Sequence, residues 1–217
     1  MVLDRMDAAF NSQMFDDAIV AEIARHGVVR KFPIKTILIH EGDVSDSFFV
    51  ILDGGVRVYR TDEAGRTVTL GFLGRGQCFG ELALAGGQRD ASVETMEETR
   101  CAIVPGTHLR ALTLTTPAVA IFLVDVLIAR VRDLSSTVKS LALENVYQRI
   151  ARLLTESADF VEGEWVVRAR LTHREIAECI GSSREMVSRV LKELTSGGYV
   201  RVEDASITIL KKLPQGW

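Results

Sequence analysis

Two stretches of the 217-residue chain hold residue types whose spacing could do chemistry. The first, Leu171 to Val202, reads LTHREIAECIGSSREMVSRVLKELTSGGYVRV. Thr172 to Glu175 has the T-x-x-E form of a capping box, Ser182 to Glu185 repeats it as S-x-x-E, and Gly181 falls between, which predicts two short helices joined by a glycine turn. That is the sequence shape of a helix-turn-helix, whose second helix commonly enters the DNA major groove. Advancing about 100° per residue from Arg184 places Val187, Val190, Leu191 and Leu194 between roughly 240° and 340°, while Arg184, Glu185, Ser188, Arg189 and Lys192 span roughly the first 140°. On that polar face an arginine fork matches the two major-groove acceptors of guanine, and a carboxylate can accept from the cytosine amino group. The other reading of the same face is a solvated helix with Glu185 as a capping residue.

The second stretch is Cys78 to Val93, CFGELALAGGQRDASV. A glycine at Gly80 lets backbone amides approach a phosphate, Arg89 supplies a fork for phosphate oxygens, and Glu81 can accept from a ribose hydroxyl. A β-turn with one surface salt bridge would use the same residues without a ligand.

The first stretch closely resembles the DNA-binding domain of the cyclic-AMP receptor protein and FNR family of bacterial transcription regulators, with Gly181, Ser183-Arg184-Glu185 and Arg189 at the family's positions. The resemblance implies that Arg184, Glu185 and Arg189 read bases of a G-T-G-A type half-site in double-stranded DNA, while Thr172, Arg174 and Ser183 hold phosphates. It covers almost the whole chain. Cys78 to Val93 is similar to the phosphate-binding cassette of cyclic-nucleotide-binding domains, in which Gly80-Glu81-Leu82 and Arg89 match. Three departures bear on the ligand. Asp90 stands where cyclic-AMP-binding members carry a small hydroxyl residue, Leu134-Ser135 aligns with the hydroxyl pair that meets adenine, and the segment between Glu81 and Arg89 is shorter than is common. The ligand-contacting set implied is Gly80, Glu81, Leu82, Arg89, Asp90, Leu134 and Ser135. The effector implied is a cyclic nucleotide or cyclic dinucleotide, with cyclic di-GMP ahead of cyclic AMP, because some members with an acidic residue after that arginine answer to cyclic di-GMP. The alternative is a ligand-independent regulator with a vestigial pocket. A surface loop at Phe160 to Trp165 is where related regulators, activators among them, touch RNA polymerase.

These residues need elements to position them. Phe15 to His26 reads as an amphipathic helix, with Phe15, Ile19, Val20 and Ile23 on one side. From Val28 to about Val104 the period changes to two, in runs such as Thr36 to Ile39, Phe48 to Leu52, Val56 to Tyr59 and Thr67 to Leu70, punctuated by glycines and acidic turns. Such a series implies an antiparallel barrel or jelly roll. From Pro117 the apolar residues Ala120, Val124, Leu127, Val131, Leu134, Val138 and Leu141 recur at steps of three and four, an a/d seam over about 40 Å of helix that predicts a homodimer. Arg130, Arg132, Asp133 and Lys139 are among its polar residues. Asn145 to Ala158 starts another helix, Phe160 to Trp165 a strand-turn-strand connection, and Gly197 to Leu210 the two strands of a wing around the turn Glu203 to Ser206. The expected fold is α+β: an N-terminal antiparallel β-roll of jelly-roll type (residues 1–115), a dimerisation helix (116–143) and a C-terminal winged helix-turn-helix (144–217).

Charge is distributed in keeping with this division. From Trp165 onward nine Lys or Arg stand against six acids, an excess of +3, so within a net charge of −3 the remainder carries −6. Cys78, Cys101 and Cys179 form no C-x-x-C pair, the four histidines lack metal-ligand spacing, and Met1 to Asp43 has no cysteine cluster for an iron-sulfur sensor. No nucleophile–base pair points to an enzyme. Asp4, Arg5 and Asp7 interrupt any signal-peptide core, and the longest apolar run, Ala118 to Val124, is too short for a bilayer, so a cytoplasmic protein without a membrane partner is expected.

Overall fold

The computed structural model describes residues 17–167, 171–203 and 206–214. Helix α1 (Asp17–Arg25) turns Val20 and Ile23 inward; Phe15, expected on the same face, lies outside the described residues. Eight strands follow: β1 (Val28–Phe32), β2 (Ile37–Ile39), β3 (Ser47–Asp53), β4 (Val56–Thr61), β5 (Thr67–Leu73), β6 (Cys78–Phe79), β7 (Ser92–Thr95) and β8 (Thr99–Pro105). They form two antiparallel sheets of four, in the orders β1-β8-β3-β6 and β2-β7-β4-β5.

Strand β3 shows why alternation matters here, because both of its faces are buried. Phe49 and Ile51 point into the core between the sheets with Ile39, Val56, Leu73 and Phe79, whereas Phe48 and Val50 point the other way. There they meet α1, α2 (Gly106–Thr115) and α3 (Pro117–Leu143) through Ile23, Leu109, Val119, Phe122 and Val126. Helix α3 opens with a proline in its first turn, where the missing N–H would have had no partner. Its inner stripe, Val119, Phe122, Val126 and Ala129, is buried on the β-roll. Its outer stripe, Val124, Leu127, Val131, Leu134, Val138 and Leu141, is open to solvent in the single chain.

After α3 the chain turns at Glu144 into α4 (Val146–Glu156), which is started by a capping box between Asn145 and Gln148. Then come β9 (Asp159–Val161), β10 (Glu164–Val167), α5 (His173–Ile180), α6 (Arg184–Ser196), β11 (Val200–Glu203) and β12 (Ser206–Ile209). The wing strands β11 and β12 pair as expected, and β12 also pairs with β10 through Trp165↔Ile209, so the connecting hairpin and the wing are one sheet, β11-β12-β10-β9. Part of the expected wing turn, Asp204 and Ala205, lies outside the described residues. The core of this head unites Ile150, Leu154, Ile176, Val187, Leu191, Leu194 and Val200. One member comes from the β-roll: Phe72 of β5 is buried in the same cluster.

Among the described residues no single helix is long and apolar enough to cross a membrane. Truncating a buried phenylalanine typically costs about 3–5 kcal/mol. Phe72→Ala is therefore expected to lower stability by about 3 kcal/mol in calorimetric or denaturant unfolding. A loss below about 1 kcal/mol would show that Phe72 is not held in the head's core.

Candidate DNA interface and effector cassette

Helix α5 is set by its cap. Thr172 Oγ1 accepts from Glu175 N at 3.2 Å, and Glu175 Oε2 accepts from Thr172 N at 2.8 Å and from Thr172 Oγ1 at 2.9 Å. The Thr172 hydroxyl hydrogen is thus engaged within the box, and a phosphate at that place would have to displace Glu175. Gly181 ends α5 at φ 60°, a left-handed conformation suited to glycine. Ser182 N–H closes the same turn on the Ala177 carbonyl at 3.0 Å.

That turn corrects one expectation. Ser182 and Glu185 do not form a second capping box, because Ser182 belongs to the end of α5 and α6 begins one residue later. Ser183 is the N-cap, its Oγ accepting from Met186 N at 3.2 Å, which leaves its hydroxyl hydrogen able to donate to a phosphate. Glu185 is consequently not a capping residue. It is exposed with Arg184, Arg189 and Lys192 on the polar face of α6, while Val187, Val190, Leu191 and Leu194 are buried behind them. His173 Nδ1 lies 2.7 Å from Ser188 Oγ and ties α5 to the middle of α6. The Arg174 side chain is 75% exposed, with its Nε donating to Glu178 Oε1 at 2.9 Å.

In the β-roll, Gly80 adopts φ 89° ahead of the short 3-10 helix Glu81–Leu84, and a Cβ there would lie 2.7 Å from the Ser47 carbonyl oxygen. Arg89 is 3% exposed. Its Nη1 donates to Gly80 O at 3.0 Å, and its Nη2 donates to Ser47 O at 2.6 Å and Ser45 Oγ at 3.3 Å. Burial pulls the guanidinium pKa down, and the carboxylates of Glu81 and Asp46 push it back up. Arg89 Nε and Glu81 Oε1 are both buried without a hydrogen-bond partner. Leu82 is partly buried, and its carbonyl accepts from Ala85 and Gly86; Asp90 is exposed.

On the α3 side, the expected ligand contacts Leu134 and Ser135 stand apart from the cassette in the single chain. Leu134, 49% exposed, stands in the outer apolar stripe, and Ser135 is exposed with its hydroxyl donating to Val131 O at 2.8 Å. In the single chain neither side chain is turned to the cassette, because the helical period places both on the outward side of α3. Arg130 is turned there instead, donating from Nη2 to Cys78 O at 3.1 Å with its Nε 3.9 Å from Glu81 Oε1. Arg130 was legible only as a polar residue of the helix. Asp133 also faces inward, and burial raises its carboxyl pKa against the pull of Arg130. The three cysteines are free, and burial raises the thiol pKa of Cys78 and pushes Cys101 and Cys179 up to about 12, far from a reactive thiolate.

A winged helix-turn-helix carried by a long helix on a β-roll with a phosphate-type cassette defines a DNA-binding regulator that contains a cyclic-nucleotide-binding-type domain. Comparisons with known proteins agree. Residues 29–116 match the family described as "Cyclic nucleotide-binding domain" and residues 148–212 the "Crp-like helix-turn-helix domain". The chain is 30% identical over 198 residues to the "cAMP-activated global transcriptional regulator CRP" of Haemophilus influenzae, covering 89% of this chain and 88% of that protein. It is 31% identical over 181 residues to the "Cyclic AMP receptor protein" of Thermus thermophilus, covering 83% and 82%. Among solved structures, the "c-di-GMP Responsive Global Regulator CLP" of Xanthomonas campestris superposes with a TM-score of 0.80 at 23% identity, covering 90% of this chain and 100% of that one. A transcriptional regulator of the CRP/FNR family from Thermus thermophilus gives 0.65 at 29% identity, covering 85% and 94%. The chain belongs to the CRP/FNR family of DNA-binding transcription regulators.

A bidentate arginine–guanine contact contributes roughly 1–3 kcal/mol of base discrimination. Arg184→Ala is expected to weaken binding to a duplex with G-T-G-A half-sites by about tenfold or more while leaving random DNA nearly unaffected at the same salt concentration. Equal losses on both would make Arg184 a phosphate contact only.

Proposed function

We propose that the protein is a cytoplasmic, sequence-specific transcription regulator that works as a homodimer and is controlled by a nucleotide effector in the β-roll. Residues 1–115 are the sensor, 116–143 the dimer helix and 144–217 the DNA-binding head. The observation that carries the reading is the double face of α3, whose inner stripe is sealed by the β-roll while its outer stripe, Val124 to Leu141, is exposed at a/d spacing. A second copy is the natural cover for that seam. In the dimer two recognition helices would meet adjacent major grooves, with Arg184, Glu185 and Arg189 reading bases and Thr172, Arg174 and Ser183 near phosphates. Activation through contact with RNA polymerase, at the turn between β9 and β10, follows the family pattern.

The cassette fits a nucleotide. Arg89 Nε, without a hydrogen bond, is a donor suited to a phosphate oxygen, and Glu81 Oε1, which also lacks one, is an acceptor suited to a ribose hydroxyl. Gly80 and Leu82 shape the turn that would hold them. Cyclic AMP is disfavoured. Two like charges about 4 Å apart cost about 1 kcal/mol in water and more in a partly buried site, and Asp90 follows the arginine directly. Leu134 supplies no polar group for adenine, and Ser135 faces away from the cassette in the single chain. At 23% identity the likeness to the cyclic di-GMP-responsive regulator speaks for the fold alone, so the preference for cyclic di-GMP rests on Asp90, since some family members with an acidic residue after that arginine answer to cyclic di-GMP. One observation favours a second reading, a ligand-independent regulator. Arg89 already donates to two backbone carbonyls and therefore has a structural role without any effector.

Val131→Glu would place an unpaired charge in the seam. Sedimentation is expected to show monomers with an intact β-roll, and a dimer of unchanged strength would point to another interface. Calorimetric titration of the purified protein with cyclic AMP, cyclic GMP and cyclic di-GMP separates the effector readings. Micromolar binding of cyclic di-GMP alone supports the first, no binding of any supports the second, and micromolar cyclic AMP that also tightens operator binding contradicts both.

A further inference from the structure

A cluster of charged side chains crosses the boundary between the β-roll and the DNA-binding head. Arg57 of β4 donates from Nη1 to Glu178 Oε2 of α5 at 2.5 Å and from Nη2 to Glu94 Oε2 of β7 at 3.1 Å. Its guanidinium carbon lies 4.7 Å from the Tyr59 ring centroid. The other oxygen of Glu178 accepts from Arg174 Nε at 2.9 Å, and Lys35 Nζ stands 3.9 Å from Glu94. The side chains of Arg57, Glu94 and Glu178 are only 14%, 15% and 10% exposed. Charge therefore alternates along Lys35, Glu94, Arg57, Glu178 and Arg174. The series starts in the sensor, passes through β7, the strand that follows Arg89 and Asp90, and ends on a head residue.

We propose that Arg57 locks the DNA-binding head onto the β-roll, and that Glu178 is the positioning residue through which the lock reaches Arg174. The second part rests on the reading of Arg174 as a DNA-phosphate contact. Two carboxylates, one from each domain, share a single guanidinium in a mostly buried place where salt screens little. Remove that guanidinium and two like charges face each other across the boundary, each without its main partner. Arg57 thus turns a repulsive contact into an attractive one. The apolar contact of Phe72 adds adhesion without direction, whereas hydrogen-bonded charges fix a register. Glu178 engages Arg174 through Nε and so sets the direction of a guanidinium whose side chain is mostly exposed. In the locked arrangement Arg184, Glu185 and Arg189 are exposed, with Arg184 and Glu185 bordering a cavity shared with Glu41, Arg60 and Asp62 of the β-roll, and this pose is assigned as the reading-competent one. In a dimer, a fixed head keeps the second recognition helix at high effective concentration over its half-site, and a loose head forfeits that gain.

The experiment compares full-length wild type with Arg57→Met, Glu178→Gln and the double variant. Locking is read by hydrogen exchange in α5 and β5. DNA binding is read on a duplex with two inverted G-T-G-A half-sites and on the same duplex with one half-site scrambled. Arg57→Met is expected to speed exchange in both elements and to weaken two-site binding on the order of tenfold, with one-site binding nearly unchanged. Adding Glu178→Gln removes one of the two facing carboxylates and is expected to restore slow exchange and part of the two-site affinity, a non-additive rescue. Unchanged exchange in Arg57→Met, or a double variant worse than Arg57→Met, overturns the lock. Tighter two-site binding by Arg57→Met overturns the assignment of the locked pose as reading-competent. Two-site affinity in Glu178→Gln alone equal to that of wild type removes the role of Glu178 toward Arg174. If wild type fails to prefer either duplex over random DNA, the DNA reading fails by itself, and the exchange data still decide the lock.

Discussion

The constraint on which the rest of the molecule depends is the geometry of α3. A helix of 27 residues spans about 40 Å, and a period of 3.6 lets it carry two apolar stripes on different sides. The stripe of Val119, Phe122, Val126 and Ala129 is used by the β-roll, and the stripe of Val124, Leu127, Val131, Leu134, Val138 and Leu141 is left open. A continuous exposed apolar seam of that length marks an interaction site. The head hangs from the end of the same helix. Whatever shifts the β-roll against the inner stripe thus bears on the outer seam and on the head together, which is the physical basis for treating α3 as the transmission element.

The cassette is organised by one buried guanidinium. Arg89 gathers the carbonyls of Gly80 and Ser47, so it stabilises the turn that it would also use to hold a phosphate. Arg89 Nε and Glu81 Oε1 are buried without a hydrogen bond, Glu81 Oε1 keeping only the Arg130 guanidinium 3.9 Å away, and a buried polar atom left without a hydrogen bond is costly. A ligand that satisfied both would gain more here than at a surface site. It could act as a switch only by binding one arrangement of sensor and head better than another.

Much of this was legible in the sequence, for reasons that differ by element. The β-roll strands show because alternation and glycine punctuation are local signals, and the Thr172–Glu175 box shows because its partners are three residues apart. Spacing misplaces the second N-cap by one residue because Ser182 and Ser183 are both competent caps; the glutamate favours Ser182, but the C-terminal turn of α5 engages it first. Leu134 is claimed by both the seam and the ligand, and in the single chain it stands in the exposed stripe. The contacts that join the domains are invisible at that level. Arg57 and Glu178 are 121 positions apart, Phe72 belongs by sequence to one domain and by packing to another, and Arg130 reaches the cassette across 52 positions. Such contacts leave no local period, so only the folded chain reveals them.

The central claim is that two copies of one reading head, set at fixed spacing by α3, recognise DNA. Selection of bound sequences from a random double-stranded pool by the purified protein tests it most directly. The account predicts enrichment of a near-palindrome, with two inverted half-sites of G-T-G-A type whose centres lie about one helical turn, roughly 10 base pairs, apart. Enrichment of a single unpaired half-site, or no enrichment at all, would contradict it.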